Sequence, residues 1–210
     1  MNMSKKLGMG FLFFSLLYIF ALIYGVDSLW LLKIMPIVLL GVAVVKTKPS
    51  LIRNFLLLAL FFSGCGDLLL AFDQFIFGVA AFLLAQLGYA FLFSRYWQGI
   101  QNRWSLSLLL IVYMLAMAWL LIPKLGELQI PVMAYLFAIG AMGLLAFQSS
   151  LPMRWAVLGA VLFIISDSFI AINKFICVFP LASYCIMASY YAAQYMLVTG
   201  FLNSVKNKKA

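Results

Sequence analysis

Apolar residues run along this chain in blocks of about twenty, the length of a membrane-spanning helix, separated by short stretches of charged residues, Pro and Gly. The blocks fall near 8–26, 29–46, 52–71, 75–94, 104–122, 129–148, 154–172 and 177–201. This pattern predicts an all-α membrane protein with eight transmembrane helices in a single polytopic domain over residues 1–210. The first block follows Lys5 and Lys6 as a signal peptide would. No small-residue cleavage site precedes Asp27, so the block is read as a helix.

Composition agrees. The chain is 67% hydrophobic and 9% charged, whereas soluble domains carry roughly 45–50% apolar and about 25% charged residues. A soluble globular fold, a disordered chain, collagen and a secreted disulfide scaffold are all excluded. The net charge of +9 concerns orientation rather than nucleic acid. With eight spans, the side holding both termini carries Lys5, Lys6, Lys46, Lys48, Arg53, Arg95, Arg103, Arg154, Lys206, Lys208 and Lys209. The opposite side has only Lys33, Lys124 and Lys174, together with all five acids: Asp27, Asp67, Asp73, Glu127 and Asp167. Cytoplasmic loops concentrate Lys and Arg, so both termini are expected in the cytoplasm. The expected location is a bacterial inner membrane, with lipids as surroundings, no nucleic-acid partner and no obligatory protein partner.

The chain also repeats at an offset of 100, residues 67–75 aligning with residues 167–175, and Pro36 near the start of span 2 corresponds to Pro131 near the start of span 6. The expected unit is therefore four helices used twice, about 8–94 and about 104–201. An even number of spans makes the two units parallel. Asp67 and Asp167 then occupy equivalent positions.

Those two aspartates are the only carboxylates inside spans. From the span boundaries they sit roughly 6–8 Å below the external interface, where a carboxylate needs a partner or a wet cavity. They are the catalytic candidates. Lys33, at similar depth, is either a counter-charge to one aspartate, a donor to a substrate oxygen, or a lysine that snorkels to the interface. Pro36 frees the carbonyl of Leu32 from its helical hydrogen bond. Ser63 lies one turn before Asp67 on the same face, with Gly64 and Gly66 allowing close helix approach. Ser166 and Ser168 flank the second aspartate. Gln86 with Tyr89, Tyr190 with Gln194, and Tyr135 place further polar groups on inward faces, as a binding wall or as interhelical contacts. Histidine is absent and Cys65, Cys177 and Cys185 have no metal-ligand spacing, so a zinc hydrolase is not expected and a histidine-based triad is excluded. Neither metal nor cofactor is expected.

At these residues the sequence resembles the YhhN family of membrane lysoplasmalogenases. The matching pieces are Lys33-x-x-Pro36, Ser63-x-x-Gly66-Asp67, Phe77-Gly78 followed by Phe82, Tyr89, Ser166-Asp167 with Ala171, and Tyr190-x-x-x-Gln194. Where the family pattern often has a histidine one turn before the span 4 tyrosine, this chain has Gln86. The resemblance implies hydrolysis of the vinyl-ether bond of a lysoplasmalogen (lysoplasmenylcholine or lysoplasmenylethanolamine). The products would be a fatty aldehyde and glycerophosphocholine or glycerophosphoethanolamine. Protonation of the vinyl ether makes an oxocarbenium ion that water attacks. That needs one protonated carboxyl and one carboxylate, as glycosidases divide their pair. The implied catalytic residues are Asp67 and Asp167. Lys33, Ser63, Gln86, Tyr89, Tyr135, Ser166, Tyr190 and Gln194 would line the substrate site, open toward the external side. The rival reading is a transporter of lipids or small amphiphiles built from parallel repeats, and a third is a structural subunit. Counted from Cys177, Gln194 lies about 25 Å down span 8, beyond reach of the aspartates unless that helix starts later.

Overall fold

The structure, a computed structural model, describes residues 5–24, 29–99 and 103–207. Asp27, Lys208 and Lys209, which entered the charge count, and the end of the first block at 25–26 lie outside the described residues. Among the described residues the chain forms eight α-helices and no strand: α1 (Lys5–Ile23), α2 (Trp30–Val45), α3 (Leu51–Ala71), α4 (Phe75–Ser94), α5 (Trp104–Leu125), α6 (Gln129–Phe147), α7 (Met153–Phe175) and α8 (Ala182–Asn207). A 3₁₀ turn at Gly126–Leu128 joins α5 to α6.

Among the described residues five stretches are long and apolar enough to cross a membrane: α1, α3, α4, α7 and the 44-residue run Trp104–Phe147 that holds α5 and α6. α2 is apolar but shorter. α8 is diluted by Ser183, Tyr184, Ser189, Tyr190, Tyr191, Gln194 and Tyr195. The chain is an all-helical, multi-pass membrane protein.

The helix ends follow local chemistry. Ser50 caps α3, its Oγ accepting from the Arg53 amide at 3.1 Å, the usual service of a serine to an unpaired first-turn N–H. α3 stops in a Schellman turn. Gln74 N–H donates to the Leu69 carbonyl, Asp73 N–H donates to that of Leu70, and Asp73 takes the left-handed conformation at φ 59°. α5 continues through Pro123 and ends where Gly126 adopts φ 52°.

Two boundaries differ from the apolar blocks with consequences for the site. α8 begins at Ala182 rather than 177, because Pro180 lies in the preceding connection. α7 runs on to Phe175 rather than 172, which puts Asp167 eight residues from its end, about 12 Å along the axis. Asp67 is four residues from the end of α3, about 6 Å. The two aspartates therefore sit at different distances from their helix ends.

α3 packs along α4 and α7 along α8, while α4 crosses to α6, and α1 and α2 reach α8. The connections at one end are joined: Gln98 N–H donates to the Gln148 carbonyl, Ser150 N–H to that of Tyr96, and Arg103 to that of Phe147. Large apolar side chains face outward, among them Phe13 and Phe20 of α1, Leu109 and Trp119 of α5, and Phe137 of α6. Inside lie Ser63, Asp67, Gln86, Ser166 and Gln194. A polar interior with an apolar exterior suits lipid, where an unpaired polar group costs several kcal/mol, roughly, and must find its partner within the bundle.

Candidate active site

Asp67 projects from α3 into the seam with α2 and α8. Tyr190 of α8 donates its hydroxyl to Asp67 Oδ2 at 2.7 Å. Lys33, in the first turn of α2, places Nζ 3.9 Å from Oδ1 and donates to the Asp67 backbone carbonyl at 3.2 Å. The lysine side chain is 12% exposed and the carboxylate side chain 4%. The snorkelling alternative for Lys33 is thus set aside: its ammonium turns inward to an acid. Tyr191, the next residue of α8, donates to the Lys33 carbonyl at 2.8 Å. Two consecutive tyrosines therefore fasten the acid and the base that neutralises it.

One turn along both helices, the same seam carries a second rung. Gln194 Nε2 donates to Ser63 Oγ at 2.9 Å, and Tyr89 of α4 donates to Gln194 Oε1 at 2.5 Å. Residues 63 and 67 on α3 face residues 194 and 190 on α8, the register that i, i+4 spacing gives two antiparallel helices. The later start of α8 brings Gln194 into this layer, where it holds Ser63 and Tyr89 rather than an aspartate.

Asp167 lies across the bundle on α7. Tyr135 of α6 donates its hydroxyl to Asp167 Oδ2, and Gln86 Nε2 of α4 donates to that hydroxyl at 3.3 Å. Gln86 Oε1 is buried without a hydrogen-bond partner among the described residues. Asp167 Oδ1 likewise accepts from no protein group there, and no cation pairs with this carboxyl.

Asp167 and Tyr135 face open space. They line a cavity of about 50 Å³ walled by Leu70, Phe75, Val79, Phe82 and Val132. They also line a second cavity of about 40 Å³ with Met114, Met117 and Leu121. A water needs about 10–15 Å³ measured this way, so each void admits water to a lining that is mostly apolar, with Ser168 a further polar wall of the second. Phe82 forms the partition between the two acids. Its ring meets that of Tyr190 edge-on at 6.0 Å and lines the larger cavity. It fits because Gly66 has no side chain: a Cβ there would lie 2.5 Å from the ring.

The remaining sequence candidates have local roles. Ser166 donates to the Ile186 carbonyl of α8 at 3.0 Å, and Ser168 to that of Ile164 at 2.7 Å. Gly64 makes no close helix approach, since a Cβ there would meet only Ile37 at 3.9 Å. Two residues outside the candidate set prove to be partners: Tyr191, and Tyr113, which donates to Ser168 at 2.6 Å. Their only signal was a phenol inside an apolar block. Among the described residues no three His, Cys, Asp or Glu side chains gather as a metal-ligand set.

The chain is 37% identical over 174 residues to a protein of Mycobacterium bovis (strain ATCC BAA-935 / AF2122/97) named lysoplasmalogenase, covering 78% of this chain and 66% of that protein. The chain thus spans just under two thirds of that relative's length. It is 32% identical over 192 residues to "Lysoplasmalogenase TMEM86A" of Bos taurus, covering 83% of this chain and 78% of the relative. It is also 32% identical over 178 residues to "Lysoplasmalogenase TMEM86B" of Mus musculus, covering 83% and 75%. No solved structure matches significantly. The YhhN family profile matches residues 28–201, a stretch that contains both aspartates and every partner named above, and the chain belongs to the YhhN family.

Proposed function

We propose that this protein is a lysoplasmalogenase that hydrolyses the vinyl-ether bond of lysoplasmenylcholine or lysoplasmenylethanolamine with its two aspartates and without a metal. The observation that carries the reading is the unequal treatment of two buried acids. Asp67 is paired with Lys33, whereas Asp167 has no cation partner among the described residues and opens onto space. The names of the relatives supply the substrate class.

The roles divide accordingly. Asp167 is the general acid. Its Oδ2 is held by Tyr135, and Oδ1 carries the proton to the β-carbon of the vinyl ether. The double bond's electrons form the new C–H bond, and the ether oxygen shares the positive charge as an oxocarbenium ion. Asp67, kept ionised by Lys33 and Tyr190, stabilises that cation across the Phe82 partition. Water in the cavity adds to the α-carbon as its proton returns to Asp167. The hemiacetal then collapses to an aldehyde and the free glycerol hydroxyl. One water is consumed, and the enzyme ends as it began.

We also propose the finer architecture: all eight helices cross the membrane as two parallel four-helix units of one domain. Each acid lies on the third helix of its unit. Each meets the second helix of its own unit, through Lys33 or Tyr135, and the fourth helix of the other, through Tyr190 or, by way of Tyr135, Gln86. The charge distribution supports cytoplasmic termini, a bacterial inner membrane and a site toward the external side.

The test is aldehyde release from lysoplasmenyl lipids by the purified protein. Asp67→Asn and Asp167→Asn are each expected to lower turnover by about 10²–10⁴-fold, and the double variant scarcely further. Folded Asn variants that keep more than about a tenth of wild-type turnover would show the acids lie outside the chemistry. Uptake of lipid into liposomes without aldehyde release would replace the hydrolase reading with transport.

A further inference from the structure

Lys174 is left over from the site described above. It lies in the last turn of α7 and is exposed. Among the described residues it forms no ion pair. Its ammonium instead sits 5.1 Å from the centroid of the Phe75 ring, a cation–π geometry. That ring packs edge-on against Phe175 at 5.6 Å, and both rings wall the cavity onto which Asp167 opens. Phe75 thus joins the cation to the acid: one part of it carries the ammonium and another bounds the reaction space.

The helix sets the separation. Lys174 follows Asp167 by seven residues, about 10.5 Å along the axis and nearly on the same face. Ile170 and Ala171, between them on that stripe, also line the cavity. Lys33 cannot serve here, being turned inward onto Asp67.

We infer that Lys174, held over Phe75, is a binding site for the phosphodiester of a lysolipid whose vinyl ether lies at Asp167. The inference rests on the hydrolase reading and adds what selects the substrate. In a lysoplasmalogen, seven bonds separate the β-carbon of the vinyl ether from phosphorus, about 9 Å extended. An ammonium–oxygen contact of about 2.8 Å completes the span. With the β-carbon at Asp167, the phosphate reaches the end of α7 where Lys174 stands. The alkyl chain then leads away from Lys174, past Phe82, into the bundle. A lysine is a compact point charge that takes a phosphate without specifying what it is esterified to. The site therefore requires the phosphate and is indifferent between choline and ethanolamine.

The experiment compares lysoplasmenylethanolamine with 1-O-alk-1′-enylglycerol, which has the same vinyl ether and no phosphate, in the same detergent micelles. In Lys174→Met, the ratio of kcat/KM for the phosphate-bearing lipid to that for the phosphate-free lipid is expected to fall about fivefold, the upper range for an exposed ion pair. Lys174→Arg is expected to recover most of it. Lys124→Met, which removes an exposed lysine at the end of α5, is expected to leave the ratio unchanged and so controls for surface charge. An unchanged ratio in Lys174→Met, or an equal fall in Lys124→Met, overturns the site while leaving the hydrolase standing. Wild-type protein that releases aldehyde from neither lipid overturns the hydrolase reading, and this site with it.

Discussion

Gly66→Ala places one methyl group where the structure has no room, and the consequence follows from three distances. The new Cβ would lie 2.5, 2.6 and 2.9 Å from Cδ2, Cε2 and Cγ of Phe82. Carbon atoms rest at about 3.5–4.0 Å, so the ring must retreat by about 1 Å. Overpacking of this kind costs about 1–3 kcal/mol, offset by up to about 1 kcal/mol of improved helix propensity. The net expectation is a loss of about 1–2 kcal/mol. The retreating ring has two outlets. One displaces Tyr190, the partner of Asp67, and the other fills the cavity beside Asp167. Either shift moves a reacting group by about 1 Å, which lowers turnover by about ten- to a hundredfold. Unfolding in detergent measures the first effect and aldehyde release the second. The double variant Gly66→Ala/Phe82→Leu removes the collision, so its stability should exceed the sum of the single effects by about 1 kcal/mol. A Gly66→Ala protein as stable and active as wild type would refute the placement of Phe82 between the acids, as would strict additivity in the double variant.

The other predictions concern single contacts. Lys33→Met leaves the Asp67 carboxylate buried without its cation, which destabilises by about 3 kcal/mol; adding Asp67→Asn should restore much of it in the same unfolding assay. Its effect on turnover should be smaller than that of either Asp→Asn variant, because Lys33 transfers no proton. Gln194→Leu orphans Ser63 and Tyr89 and should cost about 1–3 kcal/mol, with thermal unfolding reading the loss. A C-terminal fusion to a reporter active only outside the cytoplasm should give no signal, and a strong signal would reverse the orientation.

Helices, their approximate limits and the two acids are legible in one dimension because they depend on local chemistry. A run of about twenty apolar residues has few alternatives to a helix, and a carboxylate within it must be shielded or used. The i, i+4 spacing of Ser63 with Asp67 and of Tyr190 with Gln194 even describes the two rungs, since a helix converts spacing directly into a shared face. Helix ends were less legible. Pro180 delays α8 and the left-handed Asp73 stops α3, while the matching stretch of α7 runs on to Phe175.

Partner choice was decided only when the helices packed. Tyr89 and Tyr190 look alike in sequence, each an inward phenol one turn from a glutamine. Yet Tyr190 holds Asp67, whereas Tyr89 holds Gln194. Lys33 had three readings, and the seam of α2 with α3 selected the ion pair. The two acids stand at aligned positions, and only tertiary contacts give one a lysine and the other a cavity. The physical reason is the range of the interactions. Helix formation and burial are fixed within a few residues along the chain. A hydrogen bond instead requires two groups within about 3 Å in space, and for Asp67 and Tyr190 those groups are 123 residues apart in sequence.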